Sequence, residues 1–214
     1  MKKTTEEEQA FPAACGAGKN DSRVERELCK RVVAALRGRG FEAEFAPDAA
    51  SAAEIVMKEA ESAASVGWGG SETIKQIGVR DRLARSGKEI RDHRLEMDLF
   101  LLSANAVTSD GRIVNVDGRG NRVAASICGP KKVLYVIGRN KIVEGGVDAA
   151  IERIKRCACP PNARRLGKNT PCAATGVCAD CDSPDRICKV TVVFDRRPTG
   201  TSVKVVVVDA DLGY

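Results

Sequence analysis

From Val24 onward the apolar positions fall at four-residue intervals. Val24, Leu28, Val32 and Leu36 form one stripe, and Gly38 and Gly40 follow as a stop. That period predicts a helix with a single buried face, opened by Ser22 with Glu25 at the capping-box spacing. Phe41, Ala43 and Phe45 then alternate with Glu42 and Glu44, the pattern of a strand with one face inward. Ser51 to Glu54 opens a second helix carrying Ile55 and Ala60. Ala64-Ser65-Val66 reads as the end of a strand that runs into Gly67-Trp68-Gly69-Gly70-Ser71-Glu72-Thr73, with a helix continuing through Ile74 and Ile77 and a further turn or two at Val79 and Leu83. Leu99 to Leu102 fits a buried helix or strand. Thr108-Ser109-Asp110-Gly111 has the chemistry of a hairpin turn between Asn105–Val107 and Ile113–Val116. Val133 to Ile137 is continuously apolar, as in a strand buried on both faces. Val147 to about Ala158 reads as a helix, and Val190–Phe194 and Val203–Val208 as two strands flanking a turn through Arg197-Pro198-Thr199-Gly200.

Helices alternating with strands through most of the chain predict an α/β fold: an open, mostly parallel sheet with helices on both faces. The last two strands are expected as an antiparallel C-terminal hairpin. Residues 1–20 are polar and irregular and are expected to be a flexible tail. Residues 21–214 then form a single domain, with a Cys-rich loop insert at about 157–188. The chain has 214 residues, 43% of them hydrophobic, enough for one substantial core. No run approaches the roughly 20 apolar residues of a membrane span. Met1-Lys2-Lys3 is followed by polar Thr4 to Gln9 rather than an apolar core, so a secretory signal is not expected and a cytoplasmic location is.

Charge sharpens the view of the partner only a little. The net charge is +6, from 35 Lys+Arg against 29 Asp+Glu, which favours anionic partners in general. Aromatic residues make up 4%, leaving little for base stacking, so nucleic acid is not expected and a small anionic ligand is. An RNA-binding reading of the cysteine loop, helped by Arg164, Arg165, Lys168, Arg186 and Lys189, is weakened by the many interspersed acids.

Candidate chemistry falls in three loops that each follow a strand. The glycine loop offers Gly67, Gly69, Gly70, Ser71 and Thr73, with Ser71 as the natural N-cap beside free N–H groups suited to an anion. It lacks the Lys-Ser/Thr ending of a P-loop and the spacing of the dinucleotide fingerprint. It reads equally as a ligand loop or as an ordinary capped turn. Asn105 and Asp117-Gly118-Arg119-Gly120-Asn121-Arg122 form the second cluster, in which Arg122 suits a bidentate pair with a carboxylate or phosphate. Gly138-Arg139-Asn140-Lys141 is the third. Converged at one sheet edge, these loops would bind a polar ligand; taken singly, their Asp and Asn residues simply make turns. Glu72 and Asp117 are the candidate acid/base carboxylates. The single histidine, His93, sits between charged neighbours and is assigned no catalytic role.

The chain has nine cysteines. Cys172, Cys178, Cys181 and Cys188 form C-x5-C-x2-C-x6-C, a four-sulfur set expected to bind a metal, with zinc and a [4Fe–4S] cluster both open. Cys157 and Cys159 are possible substitutes or redox partners. Cys29 and Cys128 are expected as small core residues and Cys15 as an inert residue of the tail.

Taken together, Gly67 to Thr73, Ser103 to Thr108, Asn115 to Ala124, Gly129 to Val133, Gly138 to Lys141 and the segment from Thr170 to Cys188 resemble the blocks of lactate-utilisation (LUD) domain proteins, the last two in a cysteine-bearing branch. The likeness runs from about residue 25 to the end. It implies a fold similar to the ribose-phosphate isomerase, glucosamine-phosphate deaminase and CoA-transferase superfamily, with ligands at strand ends near such glycine loops. It also implies a link to the oxidation of lactate or a related carboxylic acid, alongside iron–sulfur or other redox subunits. The readings that follow are a protein binding an organic acid or phosphorylated compound and, as the alternative, a non-enzymatic metal-binding accessory subunit of a redox complex.

Overall fold

A computed structural model describes residues 21–91 and 95–214; the N-terminal segment with Cys15, and His93, lie outside the described residues. In chain order the elements are α1 (Ser22–Gly38), β1 (Glu42–Ala46), α2 (Ala49–Ala60), β2 (Ser65–Trp68), α3 (Glu72–Gln76), α4 (Val79–Ala84), β3 (Glu89–Ile90), β4 (Leu99–Leu102), β5 (Ala106–Thr108), β6 (Ile113–Asp117), α5 (Asn121–Ile127) and β7 (Lys132–Gly138). A 3-10 turn (Arg139–Lys141) leads to β8 (Ile142–Val143), then α6 (Val147–Arg153), a π-helical turn (Ile154–Ala158), α7 (Cys159–Arg165), α8 (Pro171–Thr175), β9 (Val190–Phe194) and β10 (Ser202–Val208).

Six strands pair in the order β1-β10-β7-β4-β2-β3, every pair parallel. The period-2 geometry of a strand divides β7 between two cores. Val133, Tyr135 and Ile137 face the side covered by α1, with Cys29, Val32 and Leu36. Leu134 and Val136 face the side covered by α2, α3 and α4, with Val56, Ile74 and Leu83. The continuous apolar run therefore marks a strand buried on both faces, as its composition predicts. Cys29 is wholly buried, whereas Cys128, expected in the core, is exposed just past the end of α5.

A second sheet, β8-β5-β6-β9, packs beside the first. Thr108 to Gly111 does turn β5 back on β6, which pair antiparallel. Val107, Ile113 and Phe194 point to the core shared with β7, while Ala106 and Val114 point away, to a third cluster with Ala150, Ile154 and Cys159. The expected C-terminal hairpin is not formed. β9 joins β6 in the small sheet, and β10 passes into the centre of the parallel sheet between β1 and β7. The physical reason lies in Val203 to Val208, whose alternate valines fill both cores; an edge hairpin would leave one face in water.

Local caps match the sequence reading at α3, fall one residue earlier at α1 and three residues earlier at α2. Ser71 caps α3, its hydroxyl accepting from the Ile74 N–H at 3.3 Å. At α1 the cap is Asp21 rather than Ser22, and at α2 it is Asp48, accepting from the Ser51 N–H at 2.7 Å. Asp and Ser are near-equal caps, so adjacent candidates compete.

The two sheets are joined by a polar clasp. Asn115, fully buried on β6, donates from Nδ2 to the Tyr135 hydroxyl on β7 at 3.1 Å. Arg122 on α5 donates to four acceptors: Ser103 O at 3.1 Å, Asn115 Oδ1 at 3.0 Å, Asn105 Oδ1 at 2.8 Å and Val116 O at 2.7 Å. Its Nε lies 3.7 Å from Asp117 Oδ2. A planar guanidinium supplies five donors in a fixed fork, and here each has a protein group to face. Arg122 thus spends its donors on the protein itself, where the sequence reading paired it with a ligand carboxylate or phosphate. Arg122→Ala removes the donor shared by four part-buried acceptors, of which Asn115 Oδ1 and Asn105 Oδ1 keep one backbone N–H each, so we expect a loss of about 3 kcal/mol in urea unfolding, with no rescue in Arg122→Lys. Wild-type stability in Arg122→Ala would refute the clasp.

Candidate functional site

The carboxyl ends of β2, β4, β7 and β10 lie side by side, the place where open α/β sheets receive ligands. A cavity of about 600 Å³ opens there. The glycine loop after β2 contributes Gly69, Gly70, Ser71, Glu72 and Thr73; the segment after β4 contributes Ser103 and Asn105; the turn after β6 contributes Asp117, Gly118, Asn121 and Arg122; and Lys141 follows β7. The three strand-end loops do converge. Gly67 and Gly120 stand outside the lining. Gly67 lies within β2, where an added Cβ would sit 2.5 Å from Arg91 O and 2.6 Å from Met97 Sδ. Gly120 is the left-handed residue (φ 81°) that lets the chain enter α5.

The far wall comes from the insert. Asn162, Arg165, Leu166 and Lys168 descend from and follow α7, and Asp185, Arg186, Ile187 and Lys189 come from the segment between α8 and β9. Four of the five basic residues considered for RNA are therefore cavity residues. In all, the lining carries seven basic side chains against three acidic ones, so its field favours an anion. The insert is also more ordered than a loop, since α7 and α8 lie within it and Thr170 caps α8.

Both candidate carboxylates are engaged. Asp117 Oδ1 accepts from the Arg119 and Gly120 N–H groups at 3.0 and 3.1 Å, and Oδ2 accepts from the Val123 N–H at 3.3 Å. It holds the turn into α5. Glu72 faces Arg165 across the cavity mouth at 3.6 Å and Lys75 at 3.9 Å. Tyr214 joins this group, its hydroxyl pushed above its ordinary value by burial and then by Glu72. Arg80 braces the glycine loop from behind, donating to Gly69 O and Ser71 O at 3.2 and 2.9 Å while lying over the Trp68 ring.

Lys141 is the group whose setting differs from the rest. It is 4% exposed, and its Nζ donates to Thr73 Oγ1 at 2.8 Å and Ser103 Oγ at 2.9 Å. Both partners are neutral hydroxyls. Burial holds its ammonium well below the usual lysine range, and the cations Arg153 and Arg122 add to the effect. The chain end closes over it: Gly213 has a positive φ, and a Cβ there would lie 2.5 Å from Thr73 Oγ1 and 3.1 Å from Lys141 Nζ. Ser103, Tyr214 and the cations of the insert are the lining residues that the sequence reading left outside the pocket. Ser103 reaches the glycine loop because β4 pairs beside β2, while Tyr214 follows β10 and the cations come with the fold of the insert.

The cysteines gather only in part as expected. Cys159 opens α7, buried, and its thiol is pushed up to about 12, first by burial and then by Cys188, Cys172 and Cys178. Cys188 packs against the same apolar cluster as Cys159. Cys178 Sγ accepts from the Asp180 N–H at 3.5 Å, and Cys181 O accepts from Arg186 Nη1 at 2.8 Å. Among the described residues no three of His, Cys, Asp and Glu stand together as a metal-holding group.

Comparison with known proteins agrees with this architecture. The LUD domain family model matches residues 29–208. Among solved structures, a DUF162 family protein from Deinococcus radiodurans superposes with a TM-score of 0.52 at 17% sequence identity, over 86% of this chain and 98% of that one, a likeness of fold. No curated protein matches the chain. No helix among the described residues is long and apolar enough to cross a membrane. With the family match taking in the glycine loop, the clasp, Lys141 and the cysteine insert, this chain belongs to the LUD domain family, which is related to lactate utilisation.

Proposed function

We propose that this protein binds a small anionic metabolite, an organic acid or a phosphorylated compound, in the cavity at the strand ends, and serves the oxidation of lactate or a related carboxylic acid. The observation that carries this reading is the buried amine of Lys141 at a cavity whose charged lining residues are mostly cations. The lactate link rests on the family alone. Arg119 and Lys189 face the cavity without taking part in the clasp, which makes them the cleanest charges to remove. The Arg119→Ala/Lys189→Ala variant is expected to bind inorganic phosphate or pyruvate roughly tenfold more weakly in calorimetric titration, from about 0.7 kcal/mol per cation. Wild-type affinity should fall as salt rises. Affinity indifferent to both changes would count against the reading.

A lysine kept in such a place for function costs stability. The folded chain gives up the Lys141 proton below the ordinary value of 10.5 while the unfolded chain holds it, so stability rises with pH through the window up to 10.5. Lys141→Met keeps the volume and removes the buried amine. It is expected to unfold at equal or higher urea concentration than wild type at pH 7, and to lose this lysine's share of the pH slope. A clear loss of stability would assign Lys141 to the scaffold instead.

A second reading, a metal-binding accessory subunit of a redox complex, is supported by the nearness of Cys172, Cys178 and Cys188 to the buried Cys159 thiol, whose titration each of them pushes up. Zinc and a [4Fe–4S] cluster remain the two candidates for a four-cysteine set. Metal and acid-labile sulfide analysis of anaerobically purified protein tests it. Stoichiometric zinc, or iron with near-equal sulfide, is the expected result, and metal-free protein would remove the reading.

A further inference from the structure

We propose that Lys141 is a covalent catalytic residue, whose amine condenses with the carbonyl carbon of a small substrate that also carries a carboxylate or phosphate. This rests on the anion-binding reading above and adds the reacting group. Three observations support it. Lys141 Nζ is nearly sealed from bulk water yet borders the cavity. Its two hydrogen-bond partners, Thr73 Oγ1 and Ser103 Oγ, are hydroxyls that need no charge on the nitrogen. Those hydroxyls have other acceptors to hold them in place, Thr73 donating to Leu212 O at 3.2 Å and Ser103 to Ala104 O at 3.4 Å.

A cation built only to bind an anion is better left open to solvent, as Arg119 and Lys189 are. At Lys141 the surroundings favour the neutral amine, because burial and the neighbouring Arg153 and Arg122 both oppose its charge. The neutral amine has a lone pair to give. That pair forms the N–C bond as the carbonyl π pair moves to oxygen; the resulting carbinolamine loses its oxygen as water and becomes an imine. Amine and carbonyl thus yield imine and one water, with no oxidant or reductant consumed. The Thr73 and Ser103 hydroxyls stand where a proton must travel from nitrogen to the departing oxygen. The cations of the rim hold the anionic group of the substrate while its carbonyl points down the cavity.

The test is reductive trapping on the full-length protein. Pyruvate and, separately, dihydroxyacetone phosphate are added with sodium cyanoborohydride, and the product is analysed by intact mass and peptide mapping. One adduct per chain on the peptide bearing Lys141 is expected with at least one probe, rising with pH to a plateau below the usual lysine range. The carboxylate arm and the phosphate arm distinguish which anion the rim selects. Lys141→Arg and Lys141→Met should both abolish that adduct, and mapping of the wild-type chain alone decides the matter if either variant fails to fold. Binding of a probe by calorimetry without an adduct on Lys141, or adducts scattered over exposed lysines, would overturn the covalent role while leaving the anion site standing. Neither binding nor adduct would overturn both.

Discussion

Arg122 reaches from the start of α5 to β6 and to the segment after β4, and its guanidinium is shared among four acceptors on those elements. The rest of the site is arranged around that sharing. Ser103 O and Asn105 Oδ1 are held by Arg122, and Ser103 Oγ in turn holds Lys141. Asn115 passes the restraint on to Tyr135 in the large sheet. A buried charge of this kind is tolerable only when every donor is met, so the clasp leaves little freedom to the loops it touches. The cavity floor is consequently a rigid object, with the strand ends fixed before any ligand arrives.

Around that floor the charges divide by function. Cations that serve the fold sit low and are saturated, as Arg122 and Arg153 are, the latter donating to Asn105 O and Asn140 O. Cations that face the opening come largely from the insert, a segment far along the chain. A hydrogen-bonded floor and a separately supplied rim would let substrate preference change through the insert while the floor keeps its chemistry, a common division between scaffold and loops.

Much of this was legible in the sequence because period and burial coincide. The alternation at Phe41 to Phe45 and the stripe of α1 match the core under α1, save for Val24, which is exposed, and the apolar run at Val133 to Ile137 matches a strand buried against both cores. The loops after β2 and β7 were also legible, since strand ends of a parallel sheet fall on one edge, whereas the loop after β6 joins them from the small sheet by packing. What failed was long-range. Val190–Phe194 and Val203–Val208 look like partners because they are neighbours in sequence, yet each buries more by joining a different sheet. Arg122 looked like a ligand residue because five donors in a loop invite an anion; that Asn105, Asn115 and two carbonyls claim those donors depends on packing that no local pattern records. Cys159 was seen as a spare, and its approach to Cys188 follows from α7 lying against the small sheet.

The π-helical turn at Ile154–Ala158 sets how the insert's wall faces the cavity. Such a turn holds one residue more than an α-helical turn, so the helix beyond it is rotated by about 100° relative to a straight α-helical continuation of α6 with the same residues. Were the turn to tighten into α-helical hydrogen bonding with its residues kept, α7 would swing through that angle. Cys159 would leave its apolar seat beside Cys188, and Asn162 and Arg165 would turn from the cavity together. One wide turn thus couples the facing of the buried thiol to that of the cationic wall.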